Sequence, residues 1–451
     1  MAAPEQDGGF TTHVYLTGHK GQILCVAAPE AKAGGALVAT SGEDSTVRLW
    51  DLRDHSSSAA TALSGPRAST SPRVAMCLCR CFGGEAVSSV VFGAGSTDRL
   101  YCAAGGKVLE FDLRSSGAGR ALLVTSPTDI FDDGEEEVNE LAVHPKGGYL
   151  AAADDSGVVK VYNTRTKRAD KTLRKTHTSI CHAVRFRPRS SWDIASGALD
   201  STLVFWDFST GRVRRKLNFT EDLGLPLASS ASSSSPQQLF NPPFVYSVDF
   251  TADGCYLAAG LGDGGVVVVD TKTRTPVGRC DGHSAAISQV HYPAFGPELL
   301  ISAGNDQRLL VWDQQQFEHP HDASSGMDGD SGSTGGASKA SESHHAIKRK
   351  GKATGLKSRN SAGTRLGQPL SDEPVSSHRE ERRRGSSTME GGVRESSQAS
   401  EGDGFVRCSE PVLSARLEEK PNWVTSMVVP YSAIAVADTS SVAKILRRPG
   451  T

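Results

Sequence analysis

One cassette recurs along this chain: Gly-His, an alternating apolar run, a Ser-Gly-x-Asp-like turn, then Trp-Asp. The first copy is Gly18-His19, Ile23 to Val26, Ser41-Gly42-Glu43-Asp44 and Trp50-Asp51. A second is His177, Ala183 to Phe186, Ser196-Gly197-Ala198-Leu199-Asp200 and Trp206-Asp207. A third is Gly282-His283, Ile287 to His291, Ser302-Ala303-Gly304-Asn305-Asp306 and Trp312-Asp313. Weaker copies fill the gaps, from Val87 to Phe111-Asp112, from Val138 through Asp155 to Tyr162-Asn163, from Val245 through Asp263 to Val269-Asp270, and from Trp423 to Leu446 with Asp438 in the turn. Period-two alternation in Thr46-Val47-Arg48-Leu49-Trp50 marks a half-buried strand. A unit of this kind cannot bury its apolar face alone, so it must stack on a neighbour. Closing positions lie roughly 43 to 63 residues apart, against ~40–45 for a four-stranded sheet with its loops. The surplus falls at Ser56 to Ser71 and in the tract Ser229 to Ser235. The count comes to seven units.

Such a ring must also close, because open sheet edges are a liability. The segment Thr11-Thr12-His13-Val14-Tyr15-Leu16 has strand character and is expected to complete the last unit, paired near Val442 to Leu446. The cassette resembles the WD-repeat family over nearly all of the chain outside one insert. That resemblance implies an all-β, seven-bladed WD-repeat β-propeller. It also implies a buried hydrogen-bonded set in each full blade: His19, Asp44 and Trp50; His177, Asp200 and Trp206; His283, Asp306 and Trp312. Unpaired polar groups inside stacked sheets would cost about 1–3 kcal/mol each. A hydrolytic triad uses the same residue types but needs one exposed nucleophile in one cleft. Three copies at a repeating interval point to scaffolding, so no enzyme activity and no catalytic residue is expected.

The expected organisation is a disordered N-terminus over 1–10 and six blades plus the closing strand over 11–313. A disordered insert over 314–408 and a seventh blade over 409–449 follow. The insert is dense in Ser, Gly, Lys, Arg and Glu and too poor in apolar residues to offset chain entropy. Its basic run Lys348, Arg349, Lys350 and Lys352 suggests a nuclear import signal, the plainer alternative being a solvated charge run. No aromatic residues interleave the basic ones, so direct nucleic-acid binding is not expected. The net charge of −2 leaves no global electrostatic footprint for a polyanion. Apolar runs fall short of the ~20 residues that span a bilayer, and no secretory pattern opens the chain. Nine cysteines without a disulfide framework suit the nucleus and/or cytoplasm. Cys77, Cys79 and Cys81 alternate and would share one face of a strand. With no fourth ligand they read as inner-strand packing, not zinc. No metal, no cofactor and no membrane contact is expected.

Trp50-Asp51-Leu52-Arg53 is echoed one unit later by Phe111-Asp112-Leu113-Arg114. An Asp at the end of the third strand can accept backbone N–H bonds and fix the turn. The Arg two positions on would then project from one face, suited to a partner carboxylate. Asp51, Arg53, Asp112 and Arg114 resemble the Asp-x-Arg motif of propellers that act as substrate receptors of cullin-RING ubiquitin ligases. The resemblance implies docking on the damaged-DNA-binding adaptor, with an unknown substrate, by a propeller that is itself monomeric. Further stretches, among them Ala153-Asp154-Asp155-Ser156-Gly157, Gly304-Asn305-Asp306 and Asn422-Trp423, resemble one subgroup of the family and imply the same role. The alternative is a chromatin or complex-assembly propeller that binds a peptide at its channel mouth, unrelated to ubiquitin.

Overall fold

The computed structural model describes residues 10–30, 33, 36–53, 74–79, 81–114, 123–134, 136–223, 241–317, 405–428 and 432–447. Short apolar strands pair into sheets whose second and third strands are buried on both faces, while outer strands such as Arg212–Asn218 are largely exposed. Seven sheets result. From the axis outward, blade one is Ile23–Ala27, Leu37–Gly42, Val47–Asp51 and Val74–Leu78. Blade two is Val87–Phe92, Arg99–Ala104, Lys107–Asp112 and Asp129–Asp133; blade three is Val138–Val143, Tyr149–Asp154, Val159–Asn163 and Arg168–Leu173. Blade four is Cys181–Phe186, Asp193–Ala198, Thr202–Asp207 and Arg212–Asn218; blade five is Val245–Phe250, Tyr256–Leu261, Gly265–Asp270 and Thr275–Asp281. Blade six is Ile287–His291, Leu299–Gly304, Arg308–Asp313 and Leu413–Arg416. Blade seven is Pro421–Met427, Ala433–Asp438, Val442–Arg447 and, outermost, Thr11–Thr17. Each inner strand touches the inner strands of both neighbours, and the ring runs without a gap from blade seven to blade one. This is the all-β, seven-bladed propeller that the repeat predicts. Among the described residues no helix is long and apolar enough to cross a membrane.

The core has no single centre. It divides into seven clusters, and each lies between two adjacent blades. Trp50 of blade one packs toward blade seven, Trp206 of blade four toward blade three, and Trp312 of blade six toward blade five. Stability is therefore shared between nearest neighbours, as in other stacked repeats. The clasp obeys the same rule. Thr17 pairs with Val442 and Thr11 with Arg447 in antiparallel register, and Val14 and Leu16 enter the cluster that joins blades seven and one.

The predicted edges of the insert differ from those observed. Gln314–Phe317 forms a 3-10 turn with Gln314 and Phe317 buried. Val406–Cys408 adds a fifth, parallel strand to blade five. Leu413–Arg416 is the outer strand of blade six, not part of the seventh blade. Segments this short carry no composition signal, which is why the sequence places Gln314–Phe317 and Val406–Cys408 in the insert and Leu413–Arg416 in the seventh blade. Phe10 likewise packs against the cluster between blades six and seven. The remainder of both predicted disordered regions, 1–9 and 318–404, lies outside the described residues.

Leu16 is fully buried, so Leu16→Ala is expected to cost about 2–5 kcal/mol of stability. Urea titration reads this, and a loss under about 1 kcal/mol would show that the clasp does not hold the ring.

Candidate functional site

Each full blade carries one directional chain of hydrogen bonds. In blade one Trp50 Nε1–H donates to Thr40 Oγ1 at 2.8 Å, which in turn meets His19 Nε2 at 2.8 Å. His19 Nδ1 faces Asp44 at 3.0 Å. In blade six Trp312 donates to Ser302 at 2.8 Å, Ser302 meets His283 at 2.9 Å, and His283 faces Asp306 at 2.9 Å. The indole can only donate, so the hydroxyl passes its own proton to Nε2 and Nδ1–H points at the carboxylate. Burial lowers the His19 pKa against the pull of Asp44, which keeps the ring neutral. Burial would raise Asp44, but bonds from Thr46, the Lys20 N–H and His19 outweigh it and hold the carboxyl below its usual range. The fit is close: a Cβ on Gly304 would stand 2.5 Å from His283 Nδ1. Blade four has Ala198 at that place, and its His177–Asp200 contact opens to 3.4 Å while Thr202 meets Nδ1 at 3.0 Å. Its Ser196 still links His177 at 2.7 Å to Trp206 at 2.8 Å. Thr40, Ser196 and Ser302 are wholly buried, so none offers a reachable nucleophile.

The weaker repeats solve the same problem with other groups, which sequence reasoning missed. In blade five Arg279 takes the place of the histidine, donating to Asp263 at 3.1 Å and to Asp281 at 2.5 Å. In blade seven Lys444 Nζ reaches Asp438 and Glu418, both at 2.9 Å. Blade three caps its turn with Asp154, not the predicted Asp155, through the Ser156 N–H, the Ser156 hydroxyl and the Val158 N–H. Asp155 instead holds Asn139 at 2.9 Å. A turn Asp with a strand Arg or Lys nearby was the available signal.

The two Asp-x-Arg turns share one geometry. Asp51 accepts the Arg53 backbone N–H at 3.1 Å and Arg53 Nε at 2.9 Å, while Leu52 between them is fully buried. Asp112 accepts the Arg114 N–H at 3.0 Å, Nε at 3.0 Å and Nη2 at 2.7 Å. The guanidinium of Arg114 pulls Asp112 down to about 2, and that of Arg53 lowers Asp51. Sequence reasoning expected the guanidinium to await a partner carboxylate. Each is already clamped by the aspartate of its own turn. Both side chains are nonetheless exposed, 76% for Arg53 and 63% for Arg114. They leave equivalent strand ends of adjacent blades, hence the same face.

A second surface lies at the axis. The register of every inner strand slips at its second residue. Bulges of this kind re-aim a side chain, and here the slipped residues are Leu24, Ser88, Asn139, His182, Tyr246, Ser288 and Asn422. All line a cavity of about 260 Å³ with Ile287, Asn305 and Trp423. Several stitch one blade to the next. Ser88 donates to the Val138 carbonyl at 2.5 Å, Asn139 to Cys181 at 3.2 Å, and Asn422 to Ile23 at 2.8 Å. His182, kept neutral by burial, bonds the Tyr246 carbonyl at 2.7 Å. Deeper in the channel runs a network of ionisable side chains. Glu140 accepts from Arg185 at 2.5 Å and from the Val184 N–H at 2.7 Å. Arg185 lies 3.7 Å from Asp249 and over the Trp423 ring. Asp249 faces His291 at 3.0 Å, and His291 meets Ser426 at 2.9 Å. Burial pushes Glu140 up to about 7 against the pull of Arg185 and Val184.

Cys77 lies on the outer strand of blade one, and Cys79 and Cys81 follow beyond its end, so the three do not share an inner strand. Burial pushes Cys81 up to about 11. Among the described residues no group of three His, Cys, Asp or Glu is placed to hold a metal. Lys348, Arg349, Lys350 and Lys352 lie outside the described residues.

Residues 10–51, 126–163, 170–207, 235–270 and 274–313 match the profile of the WD domain, G-beta repeat. A WD repeat-containing protein 53 homolog of Dictyostelium discoideum is 30% identical over 309 residues, covering 66% of this chain and 77% of its own. A DNA damage-binding protein 2 of Oryza sativa subsp. japonica is 22% identical over 41% of this chain and 30% of its own length. A histone-binding protein MSI1 of Saccharomyces cerevisiae is 24% identical over 46% and 45%. The matched region thus covers less than half of either of these two relatives. The crystal structure of the WD40 beta propeller domain of Doa1 shares the fold, with a TM-score of 0.58, 12% identity and 98% of each chain covered.

Arg185→Met would strand Glu140 and Asp249. Glu140 titrates at about 7 in the fold and at ~4.3 in an unfolded chain. Stability tied to it is therefore complete below about pH 4 and is lost as pH rises through about 7. The substitution is expected to cost about 3–5 kcal/mol at about pH 8 and measurably less at about pH 5.5, read from urea midpoints. Equal losses at the two pH values would show that Glu140 does not titrate between them.

Proposed function

The chain belongs to the WD-repeat family of β-propellers, and from that premise we propose that it is a ubiquitin-ligase substrate receptor. It docks on the damaged-DNA-binding adaptor of a cullin-RING ligase through the Asp51/Arg53 and Asp112/Arg114 turns. WD-repeat propellers are interaction scaffolds, generally without catalysis of their own. The observation that carries the reading is the repeated turn geometry: two exposed guanidiniums, each held in plane by the aspartate two residues before it. A clamped guanidinium has given up its rotamer freedom before the partner arrives, so less entropy is lost on docking. Adjacent blades present the two groups together, which fixes the orientation of the partner as well as its charge. The likenesses to a DNA damage-binding protein and a histone-binding protein support a nuclear setting, with Lys348, Arg349, Lys350 and Lys352 serving import.

The cavity at the channel mouth favours a second reading, a chromatin or complex-assembly propeller that takes up a peptide there independently of ubiquitin. Tyr246 and Trp423 give that cavity its aromatic surface. Peptide capture of this kind would be sensitive to Trp423→Ala and indifferent to the two arginines.

The double variant Arg53→Ala/Arg114→Ala removes two exposed side chains, and ion pairs at exposed sites add little to folding. The propeller should keep its melting curve while recovery of the adaptor falls by about tenfold or more. Undiminished recovery by a folded double variant would sink the receptor reading.

A further inference from the structure

Both flanks of the 318–404 insert meet the outer strand of blade five. Phe317 is 1% exposed and fills the space above Gly278. A Cβ on that glycine would overlap the Phe317 ring and stand 2.9 Å from the Val406 carbonyl. On the other flank, Val406–Cys408 runs parallel to Thr275–Asp281 with Gly278 opposite Val406, Arg279 opposite Arg407 and Cys280 opposite Cys408. The two cysteines are free thiols, both buried and in one apolar cluster with Phe317. Neighbouring strands lie ~4.8 Å apart, within the ~4.4–6.8 Å between Cα atoms that a disulfide spans. Cys280 and Cys408 stand opposite each other in that register and pack in the same cluster. Cys408 Sγ also lies 2.8 Å from Gln316 Oε1.

We propose that Cys280 and Cys408 form a reversible disulfide that fastens the strand Val406–Cys408 to blade five. A low-molecular-weight disulfide of the glutathione type is the oxidant. The Cys408 thiolate attacks one sulfur of that molecule. A mixed disulfide forms at Cys408, and the old S–S bond breaks with its electron pair on the departing thiolate, which takes up the proton Cys408 gave up. Cys280 then loses its proton and attacks Cys408 Sγ, expelling the second small thiolate. Two protein thiols are oxidised by two electrons, and the small disulfide is reduced to two thiols.

The order of attack follows from the contacts. The hydrogen bond from Cys280 holds the Cys408 thiol below its usual range against burial. That same bond, with burial, raises Cys280 well above its own. Once Cys408 is capped it no longer holds the Cys280 proton, so the resolving thiol is released by the first step. Access also favours Cys408. It closes a three-residue edge strand paired on one side only, and such strands open locally far more readily than the blade beneath. The second thiol stays in the sheet until the first has reacted.

The test uses the full chain, oxidised glutathione, alkylation of the remaining thiols and tryptic digestion without reductant. Cleavage after Arg279 and Arg407 puts the two cysteines in peptides 280–308 and 408–416, each with no other cysteine. The expected product is these two peptides joined, lost on adding dithiothreitol, while the exposed Cys255 carries glutathione alone. Amides 406–408 should exchange with deuterium roughly tenfold more slowly, or less, in the oxidised chain. In Cys280→Ala the reaction should stop with glutathione on Cys408, and in Cys408→Ala the Cys280 thiol should stay unmodified. Both peptides alkylated while Cys255 is glutathionylated would overturn the proposal. So would wild-type Cys408 holding glutathione without passing it on, or Cys280 joined mainly to a different cysteine.

Discussion

A carboxylate sits under the turn between the second and third strands of most blades, and the propeller depends on how that charge is held. An ionised carboxylate withdrawn from water is tolerated only when its acceptor sites are filled. Blades one, four and six fill them with a histidine oriented by a hydroxyl and an indole. Blades five and seven use Arg279 and Lys444, and blade three uses backbone N–H groups and Ser156. Blade two drops the carboxylate and turns on Gly105-Gly106, where a Cβ on Gly106 would overlap the Gly134 carbonyl. The turn fixes the register of the second strand against the third. That register sends the tryptophan into the cluster shared with the preceding blade, and it sets where the third strand ends. The Asp-x-Arg turn of blade one leaves from that end, so Arg53 inherits its position from Asp44, several residues away.

The repeat was legible because its parts are chemically expensive. A Gly-His, a turn Asp and a Trp at fixed intervals are hard to reconcile with any other packing, and they located three blades outright. Alternation then found the weaker four. Legibility ended where a different chemistry met the same need. Asp263 and Asp438 are answered by Arg279 and Lys444, cations from the blade's own later strands and not from the loop before it, where the full repeats carry the histidine. Edges of the insert were misplaced for a related reason. Phe317, Cys408 and Leu413–Arg416 are too short and too polar in context to show a period, yet each finds a pre-built edge to lie on. The Asp-x-Arg pairs were visible as residues, but not the clamp, since an intraloop ion pair and an outward-reaching arginine have the same sequence.

Along the axis, polar side chains serve mostly to join neighbours. Ser88, Asn139, His182 and Asn422 each donate across a blade boundary. Beneath them Glu140, Arg185, Asp249 and His291 link blades three to six. Cross-blade bonds of this sort resist shear between units whose contacts are otherwise apolar and non-directional. The groups that remain outward-facing and oriented are those on the rim turns. A rigid disc with its polar interior so engaged displays fixed geometry at its surface, as a docking platform requires.

The clasp of Thr11–Thr17 on Val442–Arg447 has a consequence for biogenesis. Thr11–Thr17 is made before every other strand of the ring, and its hydrogen-bonding mate Val442–Arg447 is made after all of them. Throughout elongation Val14 and Leu16 are without the cluster that will cover them, and the nascent edge is open to any other extended segment. The ring thus cannot close until Val442–Arg447 has been made, and the interval before that is when a newly made copy most needs the company of a chaperone.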